Sequence, residues 1–324
     1  MLSLLSSNHP AARESKSNTE MMNPSNPNRK EVILGTLRNL DVKSTRPFFE
    51  SLKQTGYTGD VVMFCNSLSK ETKAYLDSRA VITIPFSYWA IRNHQPMLLL
   101  WPIWKRLIAL IPGFWAKAFV ARRVWFLFYL RFLMYYEFLH QHPEYDVVMM
   151  TDVRDVWFQL DPFSWMSGRK GVFCFEEDEA RTIGQCPSNR EMMYEAVGPK
   201  NSSLVETRQI SCAGVTFGTR NEIMNYLKKF CEVAFKAYAP KTSTGSDQGI
   251  HNWIIYQESI PELAIINNAG PVFTMGLCKG SNIVLSKNGH IMSSMLGSMV
   301  PVVLHQYDRF SKVRNTLINK LNSI

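Results

Sequence analysis

DVVMMTDVRDVWFQLDPF, residues Asp146 to Phe163, joins an apolar run to a cluster of charge and then to an aromatic pair and Asp-Pro. Val147 to Thr151 form a short apolar run of the kind that makes a strand covered on both faces of a parallel sheet. The run ends abruptly in charge, with Asp152, Arg154 and Asp155 crowded at the strand's carboxyl end. In open α/β sheets that end borders the crevice where ligands sit. Two carboxylates three residues apart suit a hard divalent cation bound through oxygen. The same residues also read as an acidic turn in which Asp152 and Asp155 merely pair with Arg154, and spacing alone does not choose between the two.

Upstream, Glu31 to Leu37 reads as a first strand whose Gly35-Thr36 end opens toward the crevice. A helix is predicted over Arg46 to Thr55, a strand over Val61 to Phe64, a serine-capped helix over Ser69 to Asp77 and a strand over Val81 to Ile84. Strand, helix, strand, helix, strand at this spacing predicts an α/β fold with a Rossmann-like, mostly parallel central sheet flanked by helices. No Gly-x-Gly-x-x-Gly signature accompanies it.

Pro96 to Met134 predicts a helical insertion dense in Leu, Ile, Trp and Phe but interrupted by Lys105, Arg106, Lys117, Arg122, Arg123 and Arg131. No uncharged run in it approaches the roughly 18 residues of a membrane span. Trp101, Trp104, Phe114 and Trp115 interleaved with cations match a segment lying on an anionic membrane surface; the alternative is a helical hairpin packed on the sheet with its basic residues in water. Arg122 to His140 reads as one long core helix.

Downstream, Gly171 to Phe175 is a further strand, ending in Glu176, Glu177, Asp178 and Glu179. That acidic run reads either as a solvated loop or as a site for acceptor hydroxyls or metal. Ile210 to Thr219 ends in a strand, Arg220 to Tyr238 is an amphipathic helix capped near Asn221, and Ser246-Asp247-Gln248-Gly249 opens a helix through Tyr256. A strand over Val302 to Leu304 ends in His305, and 311–324 forms a closing helix.

Composition narrows the class. With 324 residues and 46% hydrophobic content, the chain can bury a large core, read as one domain over 31–310 behind a disordered Ser/Asn/Pro-rich tail over 1–30. Six scattered cysteines without a C-x-x-C pair disfavour zinc and disulfide readings and favour a reducing, cytoplasmic compartment, and the basic, aromatic insertion adds the expectation of a peripheral place on a membrane face. The formal charge of +9 is concentrated between Asp77 and Glu137, where no acidic residue occurs, so it does not predict nucleic-acid binding.

Four segments, TDVRDVWFQLDPF, RTIGQCP, SDQG and HQYDR, resemble in their order those of GT-A fold nucleotide-diphospho-sugar glycosyltransferases, with a glycogenin-like metal site. The resemblance runs from about Glu31 to Arg309 and is weakest over Pro96 to Phe119. One departure stands out: the usual second aspartate of the Asp-x-Asp motif is Arg154, and Asp155 supplies the next carboxylate, which leaves open which of Asp152 and Asp155 touches metal.

The resemblance implies transfer of a sugar from a UDP- or GDP-linked donor to a glycan, lipid or protein acceptor, with Mn2+ or Mg2+ held by Asp152, Asp155 and His305. It nominates Thr36 and Arg38 for base or ribose, Ser211 and Gly214 for the donor sugar, and Gln248 beside them. Asp247, Glu177 and Arg154 are the catalytic candidates; Asp247 or Glu177 would serve as base in an inverting reaction, whereas a retaining one needs none. Two alternatives remain: a metal-dependent nucleotidyl or phosphoryl transferase, and a non-catalytic membrane-peripheral binding protein of the same fold.

Overall fold

A computed structural model describes residues 29–87, 100–177, 180–239 and 246–322. The tail expected over 1–30 falls almost wholly outside them, as do 96–99 of the insertion and Asp178 and Glu179 of the acidic run. Strands β1 (Glu31–Arg38), β2 (Asp60–Asn66) and β3 (Ile82–Pro85) alternate with helices α1 (Val42–Gln54) and α2 (Lys70–Asp77). Both helices start where the sequence supplies a cap. Asp41 accepts the Ser44 amide at 2.8 Å, so that α1 begins at Val42, four residues before the predicted Arg46, and Ser69 accepts the Thr72 amide at 3.0 Å.

Helices α3 (Trp101–Leu110), α4 (Phe114–Val124) and α5 (Leu127–Gln141) lead into β4 (Val147–Thr151), the strand predicted from the opening stretch. The single helix expected over Arg122 to His140 is interrupted at Trp125 and Phe126, whose backbone is extended. Both rings are buried, and extended backbone there lets Trp125 stack toward Phe235 while Phe126 meets Tyr129.

After β4 come β5 (Val156–Phe158), β6 (Val172–Glu176), α6 (Pro187–Val197), β7 (Ser211–Thr219), α7 (Arg220–Ala234) and α8 (Asp247–Gln257). Helix α7 stops at Ala234, short of the predicted Tyr238, because the amides of Tyr238 and Ala239 bond to Ala196 and Glu195 at the end of α6 instead. Its start is the predicted Arg220, with Thr219 at the capping position beside the expected Asn221. Strands β8 (Leu263–Ile266), β9 (Val272–Thr274), β10 (Ile283–Leu285), β11 (Ile291–Ser293) and β12 (Val303–His305) precede α9 (Ser311–Asn322). Val313, Leu317 and Leu321 of α9 are buried with Trp157, Phe273 and Leu304, so the closing helix is packed into the fold.

The main sheet has seven strands in the order β3-β2-β1-β4-β7-β6-β8. Every neighbouring pair is parallel except those made by β7, which runs against β4 and β6. This is a mixed α/β fold with a mostly parallel sheet between helical layers. Alternate residues along the strands feed opposite faces. Val32, Leu34, Val148 and Met150 join the core under α5, α7 and α8, while Ile33, Met63, Val147 and Met149 join the core with α1. A second sheet orders β5-β12-β9, and β10 and β11 form a separate hairpin.

The chain runs outward through β1, β2 and β3, then returns to lay β4 on the other side of β1. The carboxyl ends of β1 and β4 thus flank a topological switch point, the position where such sheets open a crevice.

Candidate metal centre and cleft

Two strand registers bring the candidate ligands together. Thr151, the last residue of β4, pairs with Val215, and the next amide, Asp152 N–H, donates to Gly214 O at 2.7 Å. In the second sheet Val156 pairs with His305, and Gln306 N–H donates to Asp155 O at 2.7 Å. Gln306 takes a left-handed conformation, φ 56°, which turns the chain sharply after His305. Asp152, Asp155 and His305 consequently offer oxygen and nitrogen atoms within 4.8 Å of one another.

His305 is fully buried, and its Nε2 lies 3.6 Å from Asp152 Oδ2 and 4.0 Å from Asp155 Oδ1, beyond hydrogen-bond reach of both. Nδ1 faces Cys212 Sγ at 3.5 Å and Thr274 Oγ1 at 3.4 Å, which fixes the ring with Nε2 toward the carboxylates.

Two features test whether these side chains suit a metal ion. Nε2 of His305 is a buried nitrogen without a hydrogen-bond partner, which is costly unless something else uses it. The space beside it exists because residue 214 is glycine: a Cβ there would lie 2.5 Å from His305 Nε2 and 2.8 Å from Asp152 Oδ2. Two carboxylates and an imidazole suit manganese or magnesium. The cluster therefore has the donor set and the room to hold a divalent ion.

The electrostatics depend on Arg131, which reaches the site from α5. One nitrogen is paired with Asp152 Oδ1; the other donates to Asp247 Oδ2 at 2.7 Å. Burial raises the cost of ionising Asp152, but Arg131 and His305 outweigh it and hold this carboxyl well below the usual range. Burial dominates at Asp155 and Asp247, raising both despite His305 and Arg131 respectively. Burial alone would lower His305, yet Cys212, Asp152 and Asp155 hold it well above the ordinary histidine value.

Asp152, Arg154, Asp155, Glu177, Gly214, Asp247 and Gln248 line one cleft of about 530 Å³, a volume typical of small-molecule sites. Gln248 Nε2 donates to Glu177 Oε1 at 2.9 Å and to Asn189 Oδ1 at 2.8 Å. Arg154 stands at the rim, 3.4 Å from Asp155 and 3.8 Å from Asp308.

Three nominated residues lie elsewhere. Ser211 is fully buried, its hydroxyl donating to Phe175 O at 3.0 Å and meeting His251 Nε2 at 2.9 Å. It supports β7 and is not among the residues lining the cleft. Thr36 bonds Tyr135 at 2.8 Å from the end of β1, one helical turn along α5 from Arg131; Arg38 ends the same strand, and neither lines this cleft.

Reading the sequence for sites passes over Arg131, Asn189 and Asn252. Arg131 carries a signal, being the one charged residue in the run LFYLRFLMYY, Leu127 to Tyr136. A lone charge in a core helix needs a buried partner. Asn252 accepts from Ser211 N–H and donates to Ser211 O, acting as a strand partner where β6 and β7 shift register. No protein-family model matches the chain, and no curated protein matches it.

Proposed function

We propose that this protein is a metal-dependent glycosyltransferase of the GT-A type, which moves a sugar from a nucleoside-diphosphate donor to an acceptor. The observation that carries the reading is the grouping of Asp152, Asp155 and His305 at the carboxyl end of β4, opening onto a cleft that also holds Asp247, Glu177 and Gln248. The order of the four sequence segments supports it independently of the geometry.

Asp152, Asp155 and His305 would hold Mn2+ or Mg2+. When bound, the ion supplies positive charge where the diphosphate leaving group gains negative charge. Arg131 keeps Asp152 ionised and pins the Asp247 carboxylate by a charge-assisted bond. Gln248 is held in place by Glu177, Asn189 and the Ala213 amide and forms part of the cleft wall against which the donor's sugar would lie. Asp247 and Glu177 face the same space and are the groups placed to bind hydroxyls or take a proton there. Arg154 adds a cation at the rim, on the side where a diphosphate would enter.

Nucleoside diphosphate release from a panel of UDP- and GDP-sugars, with manganese and then with excess chelator, tests the reading. Release from one donor that the chelator stops is expected. Release of a nucleoside monophosphate or pyrophosphate would assign a nucleotidyl or phosphoryl transferase instead, and nucleotide binding undetectable with and without manganese would assign a non-catalytic role.

A further inference from the structure

Helices α3 and α4 turn apolar side chains outward. Leu100, Ile103, Leu107 and Leu110 recur at the three- and four-residue spacing of a single helical stripe. A helix in a globular protein ordinarily buries such a stripe. Here Ile103 is 54% exposed, Leu107 46% and Leu110 81%, while Ile108, off the stripe, is the residue fully buried. On α4, Ala118 and Ala121 face the core; Trp115 and Phe119, one turn apart, are 47% and 62% exposed. Two aromatics that the sequence offered for this surface turn inward instead: Trp104 packs on the core, and Phe114 sits against Tyr136 and Phe235.

Cations accompany the exposed apolar groups. Arg106, Arg122 and Arg123 are exposed and Lys117 is half-buried on the same two helices. Arg123 lies 3.7 Å over the Phe119 ring, bringing a guanidinium to the apolar surface itself. Residues 78–136 contain no Asp or Glu. The carboxylate that follows them, Glu137, is already paired with Arg122.

We infer that α3 and α4 form a docking surface for an anionic lipid membrane, lying in the headgroup layer. Apolar side chains set among cations match that layer, where aliphatic and aromatic groups enter and phosphate or carboxylate headgroups meet Lys and Arg. A second copy of this chain fits less well, because it would set cation against cation with no acidic residue to pair them. Among the described residues no helix is long and apolar enough to cross a membrane, so these helices lie on the bilayer and do not span it. The inference is independent of the cleft: lipid binding is expected whether or not sugar is transferred there.

The test is flotation of the full chain with vesicles of phosphatidylcholine alone and of phosphatidylcholine with phosphatidylserine, at low and high salt. The chain is expected to float with the anionic vesicles at low salt and to be released at high salt, since screening weakens surface attraction. Ile103→Ser/Leu107→Ser/Leu110→Ser removes the stripe without touching the core and should abolish flotation. In Arg106→Glu/Lys117→Glu/Arg123→Glu each cation lost should weaken binding about fivefold; circular dichroism checks that both variants stay folded. Absence of the wild type from anionic vesicles at low salt, or variants that float as well as it does, would overturn the inference. So would a dimer in light scattering that the serine variant dissolves, or retention on polyglutamate without vesicle binding, which assign the surface to a second copy and to an acidic protein respectively.

Discussion

At the scale of single residues, Gly214 and His305 decide whether the cluster is a site or a packed corner. Glycine at 214 keeps open the space that a methyl group would fill 2.4 Å from His305 Cε1. Gly214→Ala should cost about 1 to 3 kcal/mol of stability as an overpacked position, and manganese binding should fall far more than stability does. Calorimetric titration beside a urea melt measures both; a variant that binds manganese like the wild type would show that the space is not the ion's. His305 carries the pH dependence. Its raised pKa means that an ion must displace a proton from it, so affinity should rise with pH from about pH 6 to about pH 8 and flatten only above the imidazole's own titration. Affinity independent of pH over that range would remove His305 from the ligand set.

At the scale of elements, α5 does two tasks, packing Tyr129, Phe132 and Leu133 in the core and delivering Arg131 to Asp152 and Asp247. Replacing Arg131 by Met leaves the buried Asp247 carboxylate and the partly exposed Asp152 without their partner, and Arg131→Met should lose about 3 kcal/mol in urea denaturation. A loss below about 1 kcal/mol would mean that the pairing contributes little. What the sequence made legible at this scale follows from period and punctuation. Val147 to Thr151 read as a two-sided buried strand because it is short, apolar and ended by charge, and it forms that strand with all five residues buried. The reversed direction of β7 was not legible, because Ser211 to Thr219 has the same small and apolar content whichever way it runs. Nor was the break at Trp125 and Phe126, where packing of two rings overrides helical spacing. In the site, Asp152 and Asp155 announced themselves by proximity in the chain. Arg131, the lone charge of its run, signalled only that it needed a partner, since those partners lie 21 and 116 residues away and only the fold brings them together.

At the scale of the whole molecule, two sheets meet along one line, and the candidate site lies there: Asp152 leaves the large sheet, Asp155 enters the small one and His305 ends its middle strand. Lys105, Arg106, Lys117, Arg122 and Arg123 lie on α3 and α4, and none of them lines the cleft that holds the carboxylates. In the proposed reaction Asp152, Asp155 and His305 act together as one divalent centre for a nucleoside diphosphate. Manganese titrated calorimetrically into the wild type, Asp155→Ala and His305→Ala, with UDP or GDP present, tests it most directly. Saturable binding to the wild type and a loss of at least about 100-fold in each variant are expected, with circular dichroism unchanged. Equal manganese affinity in all three chains would contradict it.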